Sequence, residues 1–253
     1  MRAGRWLLAG ALALVGTLAQ AATAQLTIVI DDLGQNPARD RQVLALPAPV
    51  VLAIIPETRY AAELAAAAHR AGRTVLLHLP MDPAGGPYAW HPEMSSAERL
   101  QRLDRALERV PEADGVNNHE GSRMTADRPA MAELMQVLQE RHLLFLDSRT
   151  SAATVAAAEA QRIGLASVSR DVFLDNDATP AAVAAQLAEG VRLAQRQGSA
   201  VLIGHPHPAT LAVLAQQLPL LKAQGVEVID LPQIIALRAN QAMPGHGRAG
   251  RYR

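Results

Sequence analysis

A parallel α/β domain is the fold class this sequence predicts, and three observations carry it. Short apolar runs recur along the chain, a longer helix-patterned stretch follows most of them, and glycine or proline marks many of the joints. The runs are residues 26–30, 50–55, 74–79, 115–118, 143–146, 172–174, 200–203 and 226–229. They are continuous rather than alternating, the pattern of strands covered on both faces. Helical stretches lie around 60–71, 96–109, 130–141, 152–163, 180–197 and 208–223. Gly72, Gly198 and Gly225 each close one of these, and Thr179-Pro180 opens another. Repeated βα units over most of the chain describe one domain at about 25–240, either a barrel or a doubly wound sheet.

Composition narrows the function classes. The chain has 253 residues, 49% of them apolar, and its 24 basic side chains balance 24 acidic ones, so nothing marks it as a polyanion binder. Lys222 is the single lysine, basic residues cluster only at the termini, and nucleic acid is not an expected partner. Aromatic content is 3%, so ring stacking on a sugar would fall to a few residues, chiefly Tyr60, Tyr88 and Trp90. With no cysteine, any metal must sit on His, Asp or Glu.

Residues 1–24 read as a signal peptide. Arg2 and Arg5 precede a nearly unbroken apolar run at 6–18, and small residues follow at Ala19-Gln20-Ala21 and Ala22-Thr23-Ala24. Kept uncleaved, the same run would be an anchor near the short limit for a membrane span. Either way the rest of the chain is expected outside the cytoplasm, in the periplasm, with no span after cleavage. Residues 241–253, rich in Gly and Arg, are expected to form a frayed tail.

In parallel α/β folds the site gathers at the carboxyl ends of the strands. Asp31-Asp32 ends the first run. His78 lies in the third, with Asp82 four residues on. Asn117-Asn118-His119 ends the fourth, Asp147-Ser148-Arg149 the fifth, and His205-Pro206-His207 a late one. Each alone is the residue of a cap, an ion pair or a hydrogen-bonded core histidine. Five such groups at one end of successive strands predict a site. Asp and neutral His form the ordinary shell of zinc or a similar divalent ion, which activates water and polarises a carbonyl. One of the adjacent aspartates could bind metal while the other takes a proton, and His205 could protonate a leaving group. His207 reads as exposed surface, and Asp171 and Asp175 as residues of the mouth or of turns.

The blocks Ile30-Asp31-Asp32-Leu33-Gly34, Leu77-His78-Leu79-Pro80-Met81-Asp82-Pro83, Gly115-Val116-Asn117-Asn118-His119-Glu120-Gly121-Ser122, Phe145-Leu146-Asp147-Ser148-Arg149-Thr150, Arg170-Asp171-Val172-Phe173-Leu174-Asp175 and Ile203-Gly204-His205-Pro206 resemble the divergent polysaccharide deacetylase family. The likeness runs from about residue 26 to 237, in order. It implies a distorted parallel (β/α) barrel of about seven strands and a metal-dependent deacetylase acting on an acetylated glycan. By the resemblance Asp31 is the catalytic base, Asp32 a metal ligand and His205 the acid, with Asp147 and Arg149 orienting or tuning the catalytic groups. The superfamily's pair of histidines four apart aligns with His78 and Asp82, so a carboxylate replaces the second imidazole. The expected metal set is Asp32, His78 and His119, with Asp82 as fourth candidate. The competing expectation is a non-catalytic glycan-binding or cell-envelope accessory protein on the same fold. Hydrolysis of another bond, such as a phosphoester, is a third, against which the lack of a Gly-rich phosphate loop counts.

Overall fold

The structure, a computed structural model, describes residues 23–242; nearly all of the predicted signal segment and of the tail lie outside the described residues. Strands and helices alternate as β1 (Ala24–Leu33), α1 (Pro37–Leu44), β2 (Val51–Ile54), α2 (Ala61–Arg70), β3 (Val75–Met81), α3 (Ser96–Arg109), β4 (Gly115–Glu120), α4 (Arg128–Glu140), β5 (Leu144–Asp147), α5 (Ala156–Ile163), β6 (Ser167–Ser169), β7 (Val172–Phe173), α6 (Pro180–Gln197), β8 (Ser199–Gly204), α7 (Pro208–Leu221), β9 (Val226–Val228) and α8 (Leu231–Ala242). Local signals place several boundaries. Ser95 and Glu98 form a reciprocal capping box at the start of α3, and the Thr179 side chain accepts from Ala182 N to start α6. Gly198 ends α6 in the left-handed conformation with φ +88°.

The strands pair in parallel in the order β6-β5-β4-β3-β2-β1-β8-β7, and the sheet curls into an incompletely closed barrel. β1 is its hub. One edge pairs with β8 from Gln25 to Ile30, while the other pairs first with β9 and then with β2. The two edge strands, β6 and β7, are consecutive in the chain. Their link closes the seam, because Arg170 N donates to Asp147 O at 3.0 Å on one side and Asp171 N donates to Val201 O at 2.8 Å on the other. Nine strands stand where about seven are expected. Ser167–Ser169 offers only one apolar side chain and gives no run to read.

Alternation along the strands sorts two cores. Leu26, Ile28, Ile30, Leu52, Ile54, Leu77, Phe145 and Leu202 face the surrounding helices. Val29, Val51, Ala53, Leu76, Leu146, Val168, Val201 and Ile203 fill the barrel, joined from below by Leu231, Ile234 and Ile235 of α8. That plug ties the amino-end mouth shut: Thr74 Oγ1 donates to Asp230 Oδ2 at 2.6 Å, and Thr27 Oγ1 donates to Ile229 O at 2.9 Å. The same alternation, carried past the apolar layer, brings Asp31, His78, Asn117 and His205 into the barrel at its carboxyl end. None of the helices among the described residues is long and apolar enough to cross a membrane.

Leu231 and Ile234 are fully buried in the plug. Ile234→Ala is therefore expected to lower the free energy of unfolding by about 2–5 kcal/mol, read from urea denaturation. Leu220→Ala, at a side chain 51% exposed, should stay within about 0.5 kcal/mol of the parent. Equal midpoints for the two variants would contradict the plug.

Candidate active site

The turn at the end of β1 makes the site possible. Neighbouring side chains on a strand diverge, but Asp32 takes a left-handed backbone with φ +58° and the register with β2 slips between Ile30 and Leu33. Both carboxylates of the pair therefore reach the same centre. A non-glycine residue held there costs on the order of 1–3 kcal/mol, which the surroundings must supply. Gly34 follows with φ +99°, and a Cβ there would stand 2.2 Å from Thr58 Oγ1, so only glycine lets the chain turn away.

Three donor atoms converge beside that turn. Asp32 Oδ1 lies 3.3 Å from His78 Nε2 and 3.0 Å from His119 Nδ1, and the two ring nitrogens are 3.2 Å apart. Asp32 Oδ1 is buried yet has no hydrogen-bond partner. Asp31 Oδ2 lies 3.6 Å from His78 Nε2, and His205 Nε2 lies 4.0 Å from Asp32 Oδ2. Asn117 orders the group. Its Nδ2 donates to Asp31 Oδ1 at 2.9 Å and to Ser148 Oγ at 3.2 Å, so its Oδ1 is left to accept from His78 Nδ1 at 2.9 Å. His78 thus carries its proton on Nδ1 and turns the Nε2 lone pair toward Asp32 and His119.

These spacings fit a metal. Tetrahedral zinc with ligand bonds of about 2.0–2.1 Å sets its donors about 3.3 Å apart. An orphaned carboxylate oxygen facing two imidazole nitrogens at 3.0–3.3 Å is that pattern, and three ligands leave open positions. Electrostatics follow from the packing. Burial pushes the Asp31 carboxyl up, against the pull of His78, His205 and the Asn117 hydrogen bond. Burial would raise Asp32 too, but the His119 and His78 rings beside it hold it well below the carboxylate range. Burial would lower His205, yet its hydrogen bond to Asp175 and the charges of Asp31, Asp175 and Asp32 push it up to about 9.

The other expected residues stand elsewhere. Asp82 does not join the cluster. Its Oδ2 accepts from His91 Nδ1 and Arg123 Nη1, each at 3.0 Å, on the far side of the turn after β3. Asp147 makes none of the contacts with Asp31, Asp32 or His205 that a tuning role needs. It accepts from Arg149 N at 2.8 Å and Thr154 Oγ1 at 3.1 Å, holding the loop before α5. Arg149 is exposed, its backbone left-handed with φ +50° and its guanidinium without a hydrogen-bond or ion-pair partner among the described residues. Of the rings considered for stacking, Trp90 is fully buried and so withdrawn from the site.

A family model described as divergent polysaccharide deacetylase matches residues 28–235. The chain belongs to that family. It is 41% identical over 196 residues to the Escherichia coli protein YibQ, a match spanning 76% of this chain and 61% of that relative's length. A solved structure of a protein from Agrobacterium tumefaciens is similar at a TM-score of 0.80, with 25% identity, 85% of this chain and 90% of that one covered. A family 4 carbohydrate esterase from Streptomyces lividans, solved in complex with acetate, shares the fold at a TM-score of 0.51 and 17% identity, over 84% of this chain and 96% of that one.

Within this deacetylase fold, two residues of the site went unassigned from sequence. One is Asn117, two positions before His119 and therefore on the same face of β4. The other is Asp175, whose Oδ1 accepts from His205 Nδ1 at 2.9 Å and whose Oδ2 accepts from His205 N at 2.6 Å and Thr210 Oγ1 at 2.8 Å. Their signal was position alone. His207 is exposed as expected, its ring 5.9 Å from that of His205.

A raised histidine contributes stability below its unfolded value of about 6.5 and loses it as the pH climbs through the folded value. Metal-free protein should therefore lose stability between about pH 6.5 and 9, through the His205 contribution. Asp175→Asn should shrink that loss and lower the His205 midpoint, read from its ring proton in NMR. A midpoint unmoved by Asp175→Asn would contradict the pairing.

Proposed function

We propose that this chain is a divalent-metal-dependent hydrolase that removes an acetyl group from an acetylated polysaccharide or cell-wall glycan. The observation that carries the reading is the convergence of Asp32 Oδ1, His78 Nε2 and His119 Nδ1 within 4.8 Å, flanked by Asp31 on one side and His205 on the other. Asp32, His78 and His119 would hold the ion. A divalent ion, zinc by the match in spacing, supplies Lewis acidity that polarises the acetyl carbonyl and eases deprotonation of water.

The protein's own groups divide the proton work. Asp31, ionised, takes a proton from the water that attacks the acetyl carbon. Its burial makes it a stronger base than an exposed aspartate, and Asn117 occupies Oδ1 so that Oδ2 is the oxygen left to accept. His205, held protonated by Asp175, gives its proton to the departing nitrogen or oxygen of the sugar as the bond to the acetyl carbon breaks. Acetate leaves, and the glycan keeps a free amine or hydroxyl. A buried base whose pKa is pushed up and an acid whose pKa is pushed up, on opposite sides of one centre, are the arrangement hydrolysis of an acetyl group needs.

The amide or ester specificity, the glycan and the periplasmic setting are parts of the same proposal. The setting is supported by the amino-terminal sequence, where Arg2 and Arg5 precede the apolar run at 6–18. The glycan is supported by membership of the family and by the fold shared with the Streptomyces lividans esterase.

Zinc titrated into metal-free protein should bind, and His78→Ala or His119→Ala should weaken binding by about 100-fold or more, since even supporting residues around a metal are worth 10–100-fold. Asp82→Ala should weaken it by no more than about tenfold, because its carboxylate holds His91 and Arg123 and acts on the ligands only through the loops it braces. Undiminished zinc in both histidine variants would overturn the ligand set.

The zinc-loaded protein should release acetate from an N-acetylated chitooligosaccharide or an O-acetylated xylan fragment, and Asp31→Asn should cut the rate by about 100-fold or more. Binding of these glycans with no acetate released by the wild type would favour the accessory reading instead.

A further inference from the structure

Beside the catalytic groups, on the β5 and β7 side of the mouth, lies a cleft of about 300 Å³ lined by Arg149, Ser151, Ala152, Arg170 and Asp171. Its cations are the unusual feature. The Arg170 guanidinium is fixed from behind: Nε donates to Ser148 O at 2.7 Å, Nη2 donates to Arg149 O at 2.8 Å, and the plane lies 3.6 Å from the centre of the Phe173 ring. None of these partners carries charge. Asp171, the acid on the cleft wall, turns its Oδ2 away to Arg238 Nη2 at 2.5 Å and Val201 N at 2.8 Å. Asp147, at the end of β5, accepts from Arg149 N and Thr154 Oγ1 and forms no ion pair among the described residues. Arg149, set outward by its left-handed backbone, has no ion-pair partner among the described residues. Two guanidinium groups thus line one cleft, and neither makes an ion pair with a carboxylate among the described residues.

The cleft is coupled to the reaction centre by short connections. Arg170 holds the carbonyl of Ser148, whose hydroxyl accepts from Asn117, which in turn donates to Asp31. Phe173 stands between Arg170 and His205, its ring 6.3 Å from the imidazole with an interplanar angle of 23°. A sugar ring placed over His205 and the metal ligands would therefore have its neighbour, or a substituent of its own, at the arginines. An immobilised guanidinium with donors to spare is the side chain best suited to a carboxylate, and holding it in advance avoids the ordering cost that a flexible lysine would incur.

We infer that Arg149 and Arg170 form a subsite for a carboxylate carried by the glycan, so that the preferred substrate is an acetylated acidic polysaccharide rather than a neutral one. This rests on the deacetylase reading for its substrate class, although the carboxylate site itself does not depend on turnover. Arg170 is the anchor, preset by the backbone and by Phe173. Arg149 is the second, mobile contact. Their charges also oppose any crowding of further cations at this side of the mouth, and attract the acidic chain from a distance at low salt.

The test compares an O-acetylated oligogalacturonide as the free acid and as its methyl ester, in which each carboxylate charge is replaced by a small neutral group. Binding is measured by calorimetry on the zinc-loaded Asp31→Asn protein, which is expected to consume them about 100-fold or more slowly. The acid should bind about tenfold or more tightly than the ester, as one or two charge-assisted hydrogen bonds provide. That preference should fall below about threefold when Arg149→Asn is added, a change that keeps a side chain tolerant of the left-handed backbone. Arg170→Gln should do the same, with circular dichroism confirming that the barrel survives the loss of its two carbonyl contacts. Equal affinity for acid and ester would overturn the subsite. So would a preference that survives both substitutions, since the carboxylate would then be reading the metal. Acetate release by the wild type is scored separately: a preference removed by the arginine substitutions, with no acetate from either ligand, leaves the subsite standing and sinks the deacetylase.

Discussion

Two carboxylates adjacent in the chain and crowded into the end of one parallel strand are the constraint on which the rest of the site depends. Asp31 is almost wholly buried, and Asp32 keeps one oxygen out of solvent without a hydrogen bond. Burying a charge costs several kcal/mol unless partners meet it. Each surrounding group can be read as part of that compensation. His78 and His119 face Asp32, Asn117 donates to Asp31, and His205 stands across the centre with Asp175 behind it. The left-handed turn at Asp32 adds strain to the electrostatic cost, and neither would persist without a gain elsewhere. A divalent cation would satisfy the orphaned oxygen and the two facing lone pairs together, which is why the cluster makes chemical sense as a metal centre and poor sense as a structural one.

The barrel is what makes the crowding tolerable. Because each strand is parallel to its neighbours, one end of every strand reaches the same layer, and period-two alternation then decides which side chains enter it. Below the polar layer, Val29, Val51, Leu76, Val201 and Ile203 exclude water, and α8 seals the base. The seam between β6 and β7 is the weak point of such a ring. It is closed by the covalent link through Arg170 and Asp171 and by Arg238 of α8, which reaches Asp171 from the plug. The residues that finish the barrel therefore also deliver Arg170 to the mouth, so that architecture and site are continuous there.

Much of this was legible in the sequence, for reasons that differ by element. α3 and α6 fall on residues 96–109 and 180–197, as their caps and periodicity require. Buried strands announce themselves as continuous apolar runs, so β1, β2, β3 and β8 were plain. β6 was not, since Ser167 and Ser169 flank a single valine. Neither was α1, eight residues of mostly polar character. At the site, Asp31, Asp32, His78, His119 and His205 could be named because ionisable residues at strand ends are conspicuous. Asn117 and Asp175 could not be ranked above other polar residues, because what distinguishes them is the partner each meets across the barrel. Trp90 shows the converse: its size suggested a sugar platform, while its burial belongs to the core.

The departure at Asp82 has a structural consequence that position in the chain does not reveal. By resemblance the wider superfamily has two histidines four apart at the positions of His78 and Asp82, whereas here the second imidazole facing Asp32 comes from β4. Pro80 and His119 are Cα partners in the β3–β4 register, so His119 lies one strand over from the stretch that leads to Asp82. Glu120 then turns left-handed with φ +50°, ending the strand directly after His119, just as β1 ends after its aspartate pair. Released from the centre, Asp82 becomes a clamp. Its side chain holds His91 and Arg123, its N donates to Trp90 O at 2.8 Å, and its carbonyl accepts from Arg123 N and Met124 N at 3.2 Å. The loop after β3 is thereby pinned to the loop that follows β4, just beyond His119. A carboxylate where the superfamily has an imidazole thus need not mean a broken metal centre. In this barrel the same carboxylate braces the loop that leads out of the strand carrying His119.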